Sequence, residues 1–239
     1  NYMKKELFLM LALAFIASSL PATAAGRPPA VSDNGSTPSI IVPSNNAVRS
    51  ALTIDDFEDG KDITTKGRQP NWWKFDAVVL KTEKNNSGNA QLGKYYLNVS
   101  GQAKNWYVGG MGTYLGKDAA KFSNFSLDIE GQGEGSGIVK IELFEDDNRN
   151  YEVEQDKKFQ PLYDDRFSYE VKVDWSGWQR VSIPFSDFQD TNPKQGDNLW
   201  NPDTKNGSGG LLHVQIIFVA GEETGSLKLN LDNIKLTKE

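Results

Sequence analysis

Asp174-Trp-Ser-Gly-Trp-Gln-Arg-Val-Ser-Ile-Pro-Phe-Ser-Asp-Phe188 is the stretch whose reading decides the fold of this chain. Trp178 opens an alternating run, with Val181 and Ile183 on one face and Arg180 and Ser182 on the other. Alternation at period two describes a half-buried strand. Pro184 ends the run, because proline has no N–H to give a central ladder. Phe185 and Phe188 follow at a spacing of three, which suits a helical turn folding back onto the core. A strand, a proline and an aromatic corner together close a β-sandwich.

Outward from this stretch, ten more runs have strand character. Leu52 to Phe57, Trp73 to Leu80, Tyr95 to Val99, Trp106 to Leu115 and Phe125 to Ile129 precede Ile138 to Phe144. Tyr151 to Val153, Phe167 to Val173, Leu211 to Val219 and Leu227 to Leu236 complete the series. Turns rich in Gly, Asn and Asp separate them, among them Asn85-Asn86-Ser87-Gly88, Gly131 to Gly137, Asp146-Asp147-Asn148 and Asn206 to Gly210. Only Lys117 to Lys121 and Phe185 to Phe188 suggest helical turns, and no internal repeat is visible. Many short strands with frequent turn signals predict an all-β fold, a sandwich or jelly roll.

The chain has 239 residues, of which 38% are hydrophobic, enough for one sizeable core. A net charge of −6 with no long basic run argues against a nucleic-acid or anionic-membrane partner. The lack of cysteine excludes disulfides, thiolate metal sites and a Cys nucleophile, and a single histidine excludes a multi-histidine metal centre. Met3-Lys4-Lys5, the apolar run Leu7 to Leu20 and Ala22-Thr23-Ala24 form the three parts of a signal peptide, expected over residues 1–24. The apolar run is too short for a membrane span, so none is expected after cleavage. Residues 25–50, with Pro28, Pro29, Pro38 and Pro43 among Ser, Asn and Gly, are expected to be a flexible linker. The β-domain then occupies 51–239. Export without cysteine fits a bacterial protein, periplasmic, extracellular or at the cell surface.

Three stretches in order resemble a known family: Leu52-Thr-Ile-Asp-Asp-Phe-Glu-Asp-Gly60, Trp178-Gln-Arg-Val-Ser-Ile-Pro-Phe-Ser-Asp-Phe188 and Leu231-Asp-Asn-Ile-Lys-Leu236. Together they resemble the family 11 carbohydrate-binding modules, galactose-binding-like jelly rolls, over nearly the whole chain from Leu52 to Leu236. The same pattern is similar to the domain of mitochondrial complex I assembly factors. The first resemblance implies a β-glucan-like polysaccharide bound in a groove on the concave sheet, and structural calcium.

Two sets of residues are candidates for these roles. Alternation slips by one residue at Asp55-Asp56 and again at Asp232-Asn233, as a β-bulge would make it. If the first and last strands are neighbours, as the fold implies, Asp56 and Glu58 face Asp232. Such hard oxygen ligands suit calcium, and a pair of solvated acidic strand ends is the plainer alternative. For the sugar, Glu142 lies opposite the apolar face Val139, Ile141, Leu143, and His213 and Gln215 lie opposite Leu212, Val214, Ile216, Phe218. Polar groups for hydroxyls and rings for a sugar's C–H face are what such a ligand needs. Trp106, Tyr107 and Tyr151 are the candidate rings, although Trp106 also suits a core position.

Catalysis is weakly supported. Glu142, Glu145, Asp146 and Asp147 form a carboxylate cluster of the kind glycosidases use, but three of them fall in an expected hairpin turn, where acidic residues normally face solvent. Gly133 to Gly137 matches neither a nucleophile elbow nor a phosphate loop. The expectation is a secreted, non-catalytic carbohydrate-binding protein. The alternatives are a structural or adhesive surface protein of the same fold, and a glycoside-active enzyme.

Overall fold

Among the described residues the chain forms twelve strands, and alternating apolar residues bury one side of the longer ones against the other sheet. The computed structural model describes residues 50–88, 92–206 and 208–238. The expected signal peptide and the linker up to residue 49 lie outside the described residues. The strands are β1 (Ala51–Asp55), β2 (Trp72–Asp76), β3 (Val79–Lys84), β4 (Tyr95–Gln102), β5 (Tyr107–Lys117), β6 (Asn124–Gln132), β7 (Gly137–Asp146), β8 (Asp165–Val173), β9 (Ser176–Pro184), β10 (Gln189–Asp190), β11 (Gly210–Val219) and β12 (Ser226–Thr237). The first sheet runs β3-β4-β12-β6-β9, with β1 also beside β12, and the second runs β10-β8-β7-β11-β5-β2. The pairings are antiparallel. This is an all-β, two-sheet sandwich of jelly-roll kind.

Between the sheets, Leu97, Phe125, Leu127, Ile129, Leu229 and Leu231 from the first meet Met111, Val139, Ile141, Leu143, Val214 and Ile216 from the second, all without solvent exposure. Burying one such side chain contributes about 1.5–3 kcal/mol. The opening stretch behaves as its pattern requires. Val181 and Ile183 face the core, and Pro184 ends β9, which among the described residues pairs only with β6. A 3-10 turn at Phe185–Asp187 follows, with Phe185 and Phe188 buried and the Phe185 ring 4.7 Å from that of Trp200.

Several expectations are corrected. Trp73 to Leu80 is two strands, because Asp76 takes a positive φ of 58° and carries the chain from the second sheet to the first. Tyr151 to Val153 is not a strand: Tyr151 has φ 62° and gives its N–H to the carboxylate of Asp146. Lys117 to Lys121 is the end of β5 and a turn closed by Phe122 N–H on the Ala119 carbonyl, not a helix. A bulge between Leu211 and His213 places Leu211, rather than Leu212, in the core cluster.

Asp55 forms the junction between the sheets. A bulge between Thr53 and Asp55 in β1 turns its side chain inward, where it is 4% exposed. Arg68 grips both carboxylate oxygens at 2.7 and 2.9 Å, Trp72 Nε1–H donates at 2.7 Å and Phe57 N–H at 2.9 Å. Arg68 also pairs with Asp59 at 2.9 Å. Removing one partner of a buried pair leaves an uncompensated charge, which costs about 3–5 kcal/mol. Asp55→Ala should therefore lose about that much in urea denaturation. A loss below about 1 kcal/mol would show that the junction is dispensable.

Candidate functional site

The outward face of the second sheet combines rings with hydrogen-bonding groups because of how its strands register. Gln215 lies opposite Glu142 on one side and Gly112 on the other, and His213 opposite Phe144 and Tyr114. The edge strand β2 places Trp73 opposite Gly112 and Phe75 opposite Gly110. Both glycines make room for those rings. A Cβ on Gly112 would lie 2.5 Å from Trp73 Cζ2, and one on Gly110 would strike the Phe75 ring. Glycine within a strand permits this close approach. His213 sits among the rings, with centroids 5.2 Å from Trp73, 5.7 Å from Tyr114 and 5.9 Å from Phe144.

Polar groups border this aromatic floor. Glu142 pairs with Lys140 at 3.0 Å, both on the outward side of β7. The Tyr107 hydroxyl donates to Asp76, and burial, reinforced by that bond and by the Asp76 charge, raises its pKa, so it stays a phenol. Burial lowers the His213 pKa to about 4, because desolvation disfavours the imidazolium. It is the only histidine in the chain. Its ring protons should therefore titrate in an NMR experiment as one resolved group with a midpoint near pH 4. A midpoint near the ordinary value of about 6.5 would mean a solvated ring and no aromatic enclosure.

Of the residues named from sequence, Glu142, His213 and Gln215 lie on this face, and Tyr107 lies at one end of it beside Asp76. Tyr151 lies at the opposite end, where its carbonyl accepts from the Tyr114 hydroxyl at 3.5 Å, and both rings are exposed. Trp106 adjoins Tyr107 in sequence, just outside β5. It occupies the turn before β5 at φ 71° and is 40% exposed, so it is not a core residue. Trp73, Phe75 and Tyr114 were not singled out from sequence. Their signal was present: Trp72 and Trp73 alternate in and out, and Gly110 and Gly112 punctuate a strand.

Asp56, Glu58 and Asp232 lie about the paired ends of β1 and β12, which carry the expected bulges, between Thr53 and Asp55 and between Asp232 and Lys235. Asp232 is 1% exposed, with Oδ2 unpartnered. Burial, and then the charges of Asp128, Glu58 and Asp56, raise its pKa to about 8, against one backbone N–H from Asn233. Glu58 accepts from the N–H groups of Lys94 and Tyr95. An orphaned buried carboxylate oxygen amid other acids fits a hard cation, although these three side chains do not converge on one point as the following trio does.

Among the described residues, the acidic trio whose oxygens come within 4.8 Å of one another is Asp147, Asp165 and Asp197. Such a cluster, with Asp165 buried, Asp147 half-buried and Asp197 exposed, can chelate a metal ion. It lies at the end of the second sheet, where the carboxylates expected to face solvent are instead enclosed. Glu145 and Asp146 have no exposure. Glu145 accepts from the Asn201 N–H, and Asp146 from those of Arg149 and Tyr151. Burial first, and then the Asp147 charge, raises the Glu145 pKa to about 8.

No family model and no curated protein matches this chain. Solved structures do resemble it. The family 11 carbohydrate-binding module of the cellulosomal cellulase Lic26A-Cel5E of Clostridium thermocellum is 18% identical, over 80% of this chain and 95% of that one, with a TM-score of 0.47. The family 30 module of the cellulosomal cellulase Cel9D-Cel44B of the same organism is 14% identical over 79% and 98%, with a TM-score of 0.48. A putative sugar binding protein from Bacteroides thetaiotaomicron is 11% identical over 79% and 100%, also with a TM-score of 0.48. At these scores none of them decides what this chain binds.

Proposed function

We propose that this chain is a non-catalytic polysaccharide-binding protein whose ligand, a β-glucan-like chain, lies along the outward face of the second sheet. The observation that carries this reading is the floor of Trp73, Tyr114 and His213 beside Glu142 and Gln215. Rings stack on the C–H face of a sugar, and polar side chains at the border pair with its hydroxyls. Binding rather than hydrolysis fits the carboxylates. Glu142 and Glu145 project to opposite sides of β7, so they cannot flank one glycosidic bond, as a hydrolytic pair must. The signal-peptide pattern of residues 1–24 supports a location outside the cytoplasm in this reading, periplasmic, extracellular or at the cell surface. Calcium at the orphaned carboxylate of Asp232, with Asp56 and Glu58 supplying nearby negative charge, would fix the two bulges.

Affinity electrophoresis on soluble β-glucans, xylans and mannans tests the proposal. Truncating a stacking aromatic in a binding site costs about 2 kcal/mol or more, at least roughly thirtyfold in affinity. Trp73→Ala should lose that much while its Tm stays within a few degrees. Trp178→Ala, on the first sheet beside Tyr96, should bind like the parent. Retardation by no polysaccharide would favour a structural surface protein over this reading, and equal loss in both variants would move the sugar site off the second sheet.

A further inference from the structure

We propose that Asp147, Asp165 and Asp197 hold a second divalent cation, of the calcium class, which ties the connection 147–164 to the connection 191–209 at the end of the second sheet. The site is separate from Asp232, which lies on the first sheet, and it stands independently of the sugar reading.

The hairpin of β7 and β8 creates the need for a cation. Its register sets Glu145 directly opposite Asp165, and like charges directly opposite one another destabilise a strand pair. Asp146 and Asp147 on one side and Asp164 on the other extend the acidic run. Asp165 has no exposure, and its carboxylate oxygens lack any well-formed hydrogen bond, the Asn198 N–H being only a weak donor to them. Asp147 Oδ1 is also buried and unpartnered, while its Oδ2 accepts the Asp165 N–H at 2.9 Å. Unpaired buried polar oxygens are costly. Among the described residues no lysine or arginine forms an ion pair with any of the three.

The geometry then selects the ligand. The oxygens lie within 4.8 Å of one another. Calcium–oxygen bonds of about 2.3–2.6 Å place two ligands of one ion at most ~5 Å apart. All three donors are carboxylates, which favours a hard cation over zinc or copper. Gly196, at φ 62°, lets the backbone sit directly against the carboxylates of Asp165 and Asp147, where any Cβ would collide with them. Asp197 reaches in from the next position, its oxygens also accepting from Leu199 N–H at 2.8 Å and Asn201 Nδ2 at 3.0 Å. A cleft of about 420 Å³ lined by Asp147, Tyr163, Gly196 and Asp197 opens onto the cluster. It gives the ion a path in and leaves room for water to complete its six to eight ligands.

Calorimetric titration of the chelator-stripped full chain with calcium chloride alone tests the site. Stoichiometry should fall by one equivalent in Asp165→Asn, while Asp232→Asn keeps this equivalent. Calcium at a hundredfold excess over Kd should raise the Tm of the stripped parent by roughly 5–10 °C. Asp165→Asn should lack this site's share of the rise, and its metal-free Tm should equal or exceed that of the stripped parent, since it removes a buried repulsion. Asp197→Asn, at an exposed position, should lose the same equivalent if Asp165→Asn fails to fold. Calcium binding undiminished in both variants, or none in the parent at millimolar calcium, would overturn the site. Equal affinity for magnesium chloride would overturn its calcium class.

Discussion

A carboxylate buried between the edges of the two sheets orders much of what this protein presents to its surroundings. Asp55 belongs to the first sheet, while Trp72, which donates to it, begins β2 of the second. Arg68 between them neutralises the charge and fixes the loop from β1 to β2. Since the carboxylate holds Trp72 inward, the pleat turns Trp73 outward, onto Gly112. The aromatic floor is thus set by a buried ion pair on the opposite side of the same strand.

The two outward faces differ in what remains available to a ligand. On the first sheet, polar side chains satisfy one another. Asn230 links Asn98 to Glu130, and Asp128 takes two bonds from Arg180 and one from Asn233. Such mutual satisfaction stabilises a face and leaves fewer groups for a guest. On the second sheet the glycines of β5 remove side chains that would lift the rings, and His213 stays neutral among them. The acidic sites mark other places. One lies where β12 bulges beside β1, the other where β7 and β8 part.

The fold was largely legible because it rests on alternation. Val139, Ile141, Leu143, Val181 and Ile183 point inward as their spacing requires, and the bulges at Asp55 and Asp232 appeared as slips in the same pattern. Where the chain left the pattern, sequence reasoning failed for physical reasons. Positive φ at Asp76 and Tyr151 broke runs that composition alone marks as strands. The site was only partly legible. His213, Gln215 and Glu142 follow from facing apolar neighbours, but Trp73 depends on cross-strand register with Gly112, which no single strand reveals. Asp165 and Asp197 meet only through tertiary folding, and Asp146 lies buried because a loop closes over it.

The central claim is that a glycan lies on the outward face of the second sheet. Chemical-shift mapping with a soluble β-glucan oligosaccharide on the isotopically labelled protein tests it most directly. The chain has six tryptophans, and their indole N–H signals report from separate places. The account predicts that the Trp73 indole and the backbone amides of Tyr114, His213 and Gln215 shift with ligand, while the Trp72 indole, bonded to Asp55 in the core, and the Trp178 indole stay still. Shifts confined to Trp178 and its neighbours on the first sheet, or to Trp106, would contradict it.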